Sequence, residues 1–366
     1  MPWNKNRVTS RLGIKYPIVQ GPLGGLASQR LTAAVSNYGG LGSFGAHGLK
    51  PQAIREVIGE LRSITDKPFA INLWVSMEDD GAFVSDAKAF ERSLAHISGH
   101  ITTLGGKPPV FTPYSAIRFE DQARVIIDEK VPVFSFIYGL PPNEILDECR
   151  RMGIILIGGA TTVDEAKALA DAGVDLVVAS GFEAGGHRGS FLRCSDDSLN
   201  GTMALVPQVS DAISLPVIAA GGIADGRGIV AALALGAEGV QMGTIFLPCK
   251  ESGASERHRY AILSGGAAVT ALTRGFTGRL ARGIENQLMV ELNAPETSIL
   301  PYPLQRQLIR NLTSIAESSG HDELIPMWSG QSANLAKSTD ISEILDSLVQ
   351  SVSEIAGRVM LWGENG

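Results

Sequence analysis

Short apolar runs recur along the chain, and stretches with the periodicity of amphipathic helices separate them. The eight runs are YPIVQG, GLGSFGA, PFAINLW, VPVFSFIYG, GIILIGG, VDLVVAS, LPVIAAGG and GVQMGTIF. Runs without polar alternation are typical of strands buried on both faces of a parallel sheet. Eight strands alternating with helices over about 250 residues match the size of a (β/α)8 barrel. We therefore predict an α/β fold of the TIM-barrel type; a doubly wound open sheet shares the alternation, but the strand count favours the barrel.

An internal match supports repeating β/α units. The segment Gly158–Gly181 aligns without gaps on Gly221–Thr244, and the aligned residues include both leading glycine pairs. Gly173 and Gly236, each expected to end a helix, also coincide. Each copy reads as a strand end, a helix and the next strand, as a repeated structural unit requires.

Two regions do not fit the barrel pattern. We predict a barrel core over 1–249 that carries a helical insertion at about 77–113, where Val110–Ser115 resembles a strand only superficially. Residues 250–339 are expected to form a helical subdomain or lid over the carboxyl ends of the strands. Residues 340–366 are expected to close the barrel as its last helix. Asp340 as N-cap with Glu343 three residues later is a capping-box pattern.

Composition narrows the class of protein. The net charge of −7 argues against a nucleic-acid partner, and no run of about 20 apolar residues predicts a membrane span. Cys149, Cys194 and Cys249 are odd in number and widely spaced, which is typical of reduced thiols in the cytoplasm. They show no metal-ligand spacing. We expect a cytoplasmic protein with no metal.

Two glycine-containing loops predict a phosphate site. Gly221 and Gly222 follow the seventh run, and Gly243 and Thr244 end the eighth. In barrels these two loops commonly bind phosphate through backbone N–H groups and a nearby helix N-terminus. The alternative is that the glycines only form tight turns. The segment Gly40–Gly45 also fits G-x-G-x-x-G, but it follows a helix and is apolar enough to be a strand itself, so we do not predict a dinucleotide fold.

A histidine stands in the glycine-rich stretch GFEAGGHRGSF, directly after the sixth run. Barrel enzymes place their active sites at this end of the strands, and an imidazole there can act as base, acid or hydrogen-bond donor. His187 is therefore the candidate catalytic residue. Glu183 and Arg188 either orient it or are ordinary loop charges. The other histidines are expected to be structural or exposed: His47, His96, His100, His258 and His321.

These stretches together resemble the nitronate monooxygenase family, formerly called 2-nitropropane dioxygenases, which are FMN-dependent barrels. The resemblance extends over nearly the whole chain. Besides the histidine stretch it includes QGPLGGLASQRLTAAVSNYGGLGSFG, INLW, VPVFSFIYGLP, AAGGIADGRG, GVQMGT, FTGRLARGIEN and MWSGQSANLAK.

The resemblance implies roles for individual residues. His187 corresponds to the family's catalytic histidine. The implied FMN-binding residues are Gly21, Pro22 and Leu23 along the flavin ring, Asn72 as its hydrogen-bond partner, Ser180, Gly185 and Gly186 beside it, and Gly221, Gly222, Gln241, Met242, Gly243 and Thr244 at its phosphate. The implied substrate-pocket residues are Tyr114, Tyr260 and Tyr302. The chain departs from many relatives at Gly21, Leu23, Ser180 and Ile245, which bears on flavin tuning and substrate preference.

The implied activity is oxidation of alkyl nitronates, and by extension nitroalkanes, with O2 to carbonyl compounds and nitrite. An FMN-dependent NAD(P)H reductase of quinones or enoyl thioesters is the alternative on the same barrel. A barrel that binds or isomerises a phosphorylated metabolite without redox chemistry is a third hypothesis, because fold does not fix function. The physiological substrate is left open, and so is a homodimer.

Overall fold

A computed structural model of the chain describes residues 2–75, 82–83, 85–115 and 117–364. Its centre is a barrel of eight parallel strands, which correspond one to one to the eight apolar runs. They are β1 Ile18–Gln20, β2 Gly42–Gly45, β3 Phe69–Trp74, β4 Val133–Ile137, β5 Ile155–Ala160, β6 Leu176–Ser180, β8 Val217–Ala220 and β9 Gly239–Met242.

The strands pair in the order β1-β9-β8-β6-β5-β4-β3-β2, and every pair is parallel. A parallel bridge between Val19 and Leu41 joins the two outer strands and closes the ring. Gln20 N donates to Leu41 O at 2.9 Å, and the Gln20 side chain reaches Ser43 on β2. The predicted TIM barrel is confirmed. The Gly40–Gly45 segment contains β2, so the dinucleotide motif is a strand.

Helices follow most strands and cover the outside of the barrel. They bury one apolar face each, as α3 does with Ile54, Val57, Ile58 and Leu61 at helical spacing. The helices are α1 Arg7–Leu12, α2 Gln29–Tyr38, α3 Pro51–Ile64, α4 Ala87–Ala95, α5 Ser98–Thr103, α6 Phe119–Asp128, α7 Asn143–Arg151, α8 Val163–Asp171, α9 Thr202–Ala212, α10 Gly226–Ala234, α11 Glu256–Leu263, α12 Gln287–Leu292, α13 Leu304–Ser319 and α14 Ile341–Glu364.

Apolar side chains fill the barrel interior and leave only one end for a ligand. Successive residues of a strand point to opposite faces, so Ala70 packs inside the ring while Ile71 packs outward against helices. Val8 and Leu12 of α1 belong to the interior cluster and close the amino-terminal end. Within the described barrel, this packing leaves the carboxyl ends of the strands as the end where a ligand can enter.

The internal match corresponds to two structural units, β5-α8-β6 and β8-α10-β9. Gly173 and Gly236 follow the two helices with φ of 78° and 98°. A side chain would strain this left-handed backbone, which explains why both positions are glycine.

The last helix, α14, packs on α10 and α2 and closes the outer ring. Asp340 caps it, because its carboxylate accepts from the N–H groups of Ser342 and Glu343. In a capping box the Glu343 side chain would also accept directly from the backbone N–H of Asp340, and here that contact is indirect. Ser338 Oγ donates to the Glu343 carboxylate and accepts from Asp340 N, so a serine connects the two ends of the box.

The segment before α14 is not purely helical. It contains α11, α12 and α13, but also an antiparallel sheet of β10 Thr270–Thr273, β11 Ala281–Ile284 and β7 Gly186–His187. β7 comes from the loop after β6, so this sheet connects the segment to the barrel. Its strands have two to four residues, too few to give a period in the sequence. A second apolar core, which includes Phe276 and Leu308, lies beneath it.

Part of the predicted insertion at about 77–113 lies outside the described residues. Within its described part, α4 and α5 are helical as expected, and residues 110–115 form neither helix nor strand. Over the described chain, no helix combines the length and apolarity needed to cross a membrane. The same residues contain no group of three or more histidine, cysteine or carboxylate side chains placed to hold a metal.

Candidate active site

One cavity opens at the carboxyl ends of the barrel strands and is roofed by the segment between β9 and α14. It encloses about 230 Å³, several times the roughly 30 Å³ that one water molecule occupies, so it can hold an organic ligand. Most residues predicted for the site line this cavity. They are Gly21, Pro22, Leu23, Asn72, Ser180, Gly185, Gly186, His187, Gly221, Gly222, Gln241, Gly243 and Thr244.

Four predicted residues do not line the cavity. Met242 is 1% exposed and points into the outer core, because it alternates with Gln241 along β9. Tyr260 lies on α11 with 72% of its surface exposed to solvent. Tyr114 packs against Phe83. Tyr302 is closest to the site, with its ring 6.4 Å from that of His187 and 5.3 Å from that of Trp74.

His187 lies on β7, opposite Ala281 of β11. Its ring is 4.8 Å from the Trp74 ring and 5.1 Å from the Trp328 ring, and its Nε2 is 2.9 Å from Thr277 Oγ1. Burial, reinforced by the charges of Arg306 and Arg279, lowers the pKa of His187 to about 3. The imidazole is therefore neutral at physiological pH.

The two charged neighbours of His187 in sequence hold the loop in place. The Glu183 carboxylate accepts from Thr202 N and Oγ1, so it caps the N-terminus of α9. Arg188 is 5% exposed and donates to the carbonyl oxygens of Ser180, Thr161 and Ser198. Neither side chain hydrogen-bonds to His187. The sequence left open whether Glu183 and Arg188 orient the imidazole, and the structure shows no such direct contact.

The far end of the cavity is suited to an anion. Gly222 has φ of 70°, and within the described chain neither its N–H nor that of Thr244 donates to another protein atom. Thr244 Oγ1 accepts from Gly330 N at 2.9 Å, which leaves its hydroxyl proton for a ligand. A short 3-10 turn begins at Thr244, where a barrel phosphate site often has its helix N-terminus. At α10, the helix that follows Gly221 and Gly222, the Asp225 carboxylate already accepts from the N–H groups of Arg227 and Gly228 in the first turn.

Three glycines show how closely the backbone approaches the cavity. A Cβ on Gly185 would lie 2.5 Å from Gly330 N, so only glycine allows the His187 loop to pack on the roof. A Cβ on Gly186 would meet nothing within 4 Å. A Cβ on Gly24 would lie 2.7 Å from Cε1 of His47, whose ring occupies that space.

The sequence did not identify several lining residues: His47, Trp74, Thr277, Arg306 and Trp328. His47 stacks on Trp74 with ring centroids 3.6 Å apart, and Arg306 Nη1 is 3.4 Å from its Nε2. His47 was expected to be structural or exposed, yet it faces the cavity. Because it follows β2 and Trp74 ends β3, the rule that active sites lie at strand ends would have found both. Thr277 and Arg306 carry no comparable signal.

The chain is similar to known proteins over nearly its whole length. The family model described as "Nitronate monooxygenase" matches residues 5–351. A probable nitronate monooxygenase of Staphylococcus haemolyticus (strain JCSC1435) is 41% identical over 355 residues, covering 96% of this chain and 98% of the relative. The structure of nitroalkane oxidase from Streptomyces ansochromogenes has a TM-score of 0.86 at 32% identity, covering 97% of this chain and 100% of that one. FabK from Thermotoga maritima has a TM-score of 0.75 at 30% identity, covering 98% and 99%.

Proposed function

The chain belongs to the nitronate monooxygenase family, and we propose that it oxidises alkyl nitronates with O2 in an FMN-dependent reaction. The products are a carbonyl compound and nitrite. The reaction balances when one O2 converts two nitronate anions to two carbonyl compounds and two nitrite ions. FMN, when bound, supplies the electron-transfer chemistry between nitronate and O2, and the protein supplies placement and electrostatics.

The residues of the cavity fit FMN in the chemistry of their donors. At the anion end, the N–H groups of Gly222 and Thr244 and the Thr244 hydroxyl suit a phosphate. Gly21–Leu23 and Gly185 would lie along the flat ring, and Asn72 would bind its polar edge. The Asn72 amide is 3% exposed, and its Nδ2 donates to Ser135 Oγ at 3.0 Å, which fixes its orientation. Met242 would support this end only through packing.

The observation that carries the proposal is the electrostatic setting of His187. A neutral imidazole and the guanidinium of Arg306 face one cavity, and the Arg279 charge also acts on His187. Such a site attracts an anion, and the charge of a nitronate resides on its nitro oxygens. Trp74 and Trp328 supply an apolar wall for the alkyl chain. Of the three expected tyrosines, Tyr302 lies closest to His187, although it does not line the cavity.

The low pKa of His187 also predicts which of two substrate classes, nitronates or neutral nitroalkanes, reacts faster. A base works best when its pKa lies near the working pH, and a pKa of about 3 makes His187 a weak base toward a carbon acid. A nitronate arrives already deprotonated and avoids this step. We therefore expect the preformed nitronate to be the better substrate and the neutral nitroalkane the slower one.

The test is rapid mixing of the FMN-loaded protein under nitrogen, first with an alkyl nitronate and separately with NADH. We expect the nitronate to bleach the flavin absorbance and NADH to leave it unchanged on the same timescale. Turnover under air should then release nitrite. Fast bleaching by NADH without nitronate turnover would replace the proposal with the NAD(P)H reductase. Protein that neither contains nor takes up FMN would remove its premise.

A further inference from the structure

A buried threonine contacts the imidazole of His187. Thr277 is 3% exposed and lies between β10 and β11. Its Oγ1 has three polar neighbours: His187 Nε2 at 2.9 Å, Arg279 O at 3.3 Å and Arg279 N at 3.4 Å. None of the roles implied for the site involves Thr277.

The hydrogen-bonding capacity of these atoms determines where their protons lie. A hydroxyl has one proton to donate and can accept two. The backbone N–H of Arg279 can only donate, and the carbonyl of Arg279 can only accept. If the Thr277 hydroxyl donates to that carbonyl, its second acceptor position is left for His187. All three contacts are hydrogen bonds only when Nε2 of His187 carries the proton.

We propose that Thr277 is a positioning residue that holds His187 in the tautomer with its proton on Nε2. Nδ1 is then left unprotonated as the nitrogen available to the cavity. This tautomer allows His187 to accept a proton from a neutral nitroalkane, a role that rests on the proposed function. In this role Thr277, which also lines the cavity, acts through His187.

The proton transfer balances without a further reactant. The C–H bond next to the nitro group breaks, its proton goes to Nδ1, and the electron pair remains on the substrate as the nitronate. His187 becomes an imidazolium. Its Nε2–H bond to Thr277 becomes charge-assisted and therefore stronger, which partly offsets the burial that makes the base weak. Oxidation of the preformed nitronate does not need this step.

The backbone keeps the two residues together. β7 pairs with β11, and Arg188 N donates to Leu280 O at 2.9 Å on the side of the pairing nearest Thr277. The contact between His187 and Thr277 therefore depends on the small antiparallel sheet and on no bound group. The tautomer can be measured independently of turnover.

The first experiment compares Thr277→Val with Thr277→Ser in the FMN-loaded protein. Valine keeps the shape and removes the hydroxyl, whereas serine keeps the hydroxyl. We expect Thr277→Val to lower kcat/KM for the neutral nitroalkane by on the order of 10-fold to 10²-fold, less than complete loss of a general base. Its kcat/KM for preformed nitronate should fall by a much smaller factor, because no proton is abstracted from that substrate. Thr277→Ser should restore most of the loss. Equal losses on both substrates would overturn the positioning role.

The second experiment reads the tautomer by long-range 1H–15N NMR of protein labelled with 15N-histidine. The signal of His187, one of six histidines, is assigned by its loss in His187→Asn. We expect the Nε2–H form in the unsubstituted protein and a shift toward the Nδ1–H form in Thr277→Val. An Nδ1–H form in the unsubstituted protein overturns the proposal even if Thr277→Val does not fold. If nitronate is not turned over, the proposed function fails, while the NMR result still decides the tautomer.

Discussion

At the residue scale, the protonation of His187 follows from its surroundings. The Trp74 and Trp328 rings lie 4.8 Å and 5.1 Å from the imidazole, and burial together with the charges of Arg306 and Arg279 opposes a positive charge on it. The residue is therefore a neutral hydrogen-bonding group at physiological pH, and under the proposed function it would act as a base only toward a substrate that offers a proton. Its replacement should affect substrates that must lose a proton more than those that need not.

We expect His187→Asn to retain FMN and to lose turnover of the neutral nitroalkane by on the order of 10²-fold to 10⁴-fold. Loss of preformed nitronate turnover should be much smaller. Asparagine keeps a polar side chain of smaller size, so the β7–β11 pairing should persist. Steady-state kinetics with both substrates and the flavin spectrum provide the measurement. Comparable losses on both substrates would assign His187 to substrate binding instead.

Arg306 should contribute to binding of the anion. We expect Arg306→Gln to raise KM for the nitronate by about 10-fold with little change in kcat, since a charge-assisted hydrogen bond contributes about 1.5–3 kcal/mol. Arg310→Gln is the matched control. Arg310 lies one turn along α13 and does not line the cavity. The charge of Arg306, together with burial, lowers the pKa of Arg310, so the two guanidinium groups lie near each other. An equal change in KM in both variants would show that the effect comes from the overall positive charge of this region and not from a contact between Arg306 and the nitronate.

The sequence located His187 but not its surroundings. Its place after the sixth strand and between glycines was enough to identify it. Thr277 is 90 residues further along the chain, and its contact depends on the pairing of β7 with β11. Arg306 reaches the cavity from α13, far from any strand end. Such contacts come from long-range packing, which the spacing of single residues does not encode.

At the element scale, the eight strands were predictable because each is a short, mostly apolar run without polar alternation, beside a glycine or proline. The antiparallel sheet was not, because β7 has only two residues and lies in a glycine-rich loop. The sequence also did not show which helix N-terminus would lie at the predicted phosphate site, and α10 was one candidate. Its sequence shows glycines near a helix N-terminus, but the Asp225 carboxylate already occupies the N–H groups of Arg227 and Gly228.

This arrangement makes a prediction about Asp225. We expect Asp225→Ala to lower the free energy of unfolding by about 1 kcal/mol, the usual effect of losing an N-cap, without weakening FMN binding. Asp86→Ala is the matched control, because Asp86 caps α4 by accepting from Ala89 N. Denaturant unfolding and FMN titration of both variants provide the measurement. A change in FMN affinity confined to Asp225→Ala would mean that the α10 terminus takes part in phosphate binding.

At the scale of the whole molecule, the buried histidine couples stability to pH. The folded-state pKa of His187 is about 3, below the ordinary value of 6.5, so between these values the unfolded chain binds more protons than the folded one. The contribution of neutral His187 to the free energy of unfolding is fully present above about pH 6.5, and it decreases as the pH falls toward 3. The slope is at most about 1.4 kcal/mol per pH unit, reduced by water in the cavity. Urea unfolding should show a flatter acid profile in His187→Asn. An unchanged profile would mean that His187 is more solvated than the structure indicates.

The cavity also connects the barrel to the segment between β9 and α14. Gly330 N donates to Thr244 Oγ1, Gln331 N donates to Glu183 O, and Ser332 Oγ donates to Gly222 O at 2.6 Å. A phosphate bound at Gly222 and Thr244 would therefore stabilise these two loops and, through their hydrogen bonds, residues 330–332 as well. FMN at 100 times its Kd would stabilise the folded state by about 2.7 kcal/mol, and the loops at the contact should gain most order.

We expect hydrogen exchange of the amides at 329–332 to slow on FMN binding together with those at 221–224. The amides of α3, which lies on the outer face of the barrel, should exchange as before and serve as the internal control. Mass spectrometry of peptides from FMN-loaded and FMN-free protein gives the comparison. Protection confined to 221–224 would show that the cofactor binds the barrel alone, and the segment between β9 and α14 would then be a cover that moves independently of it.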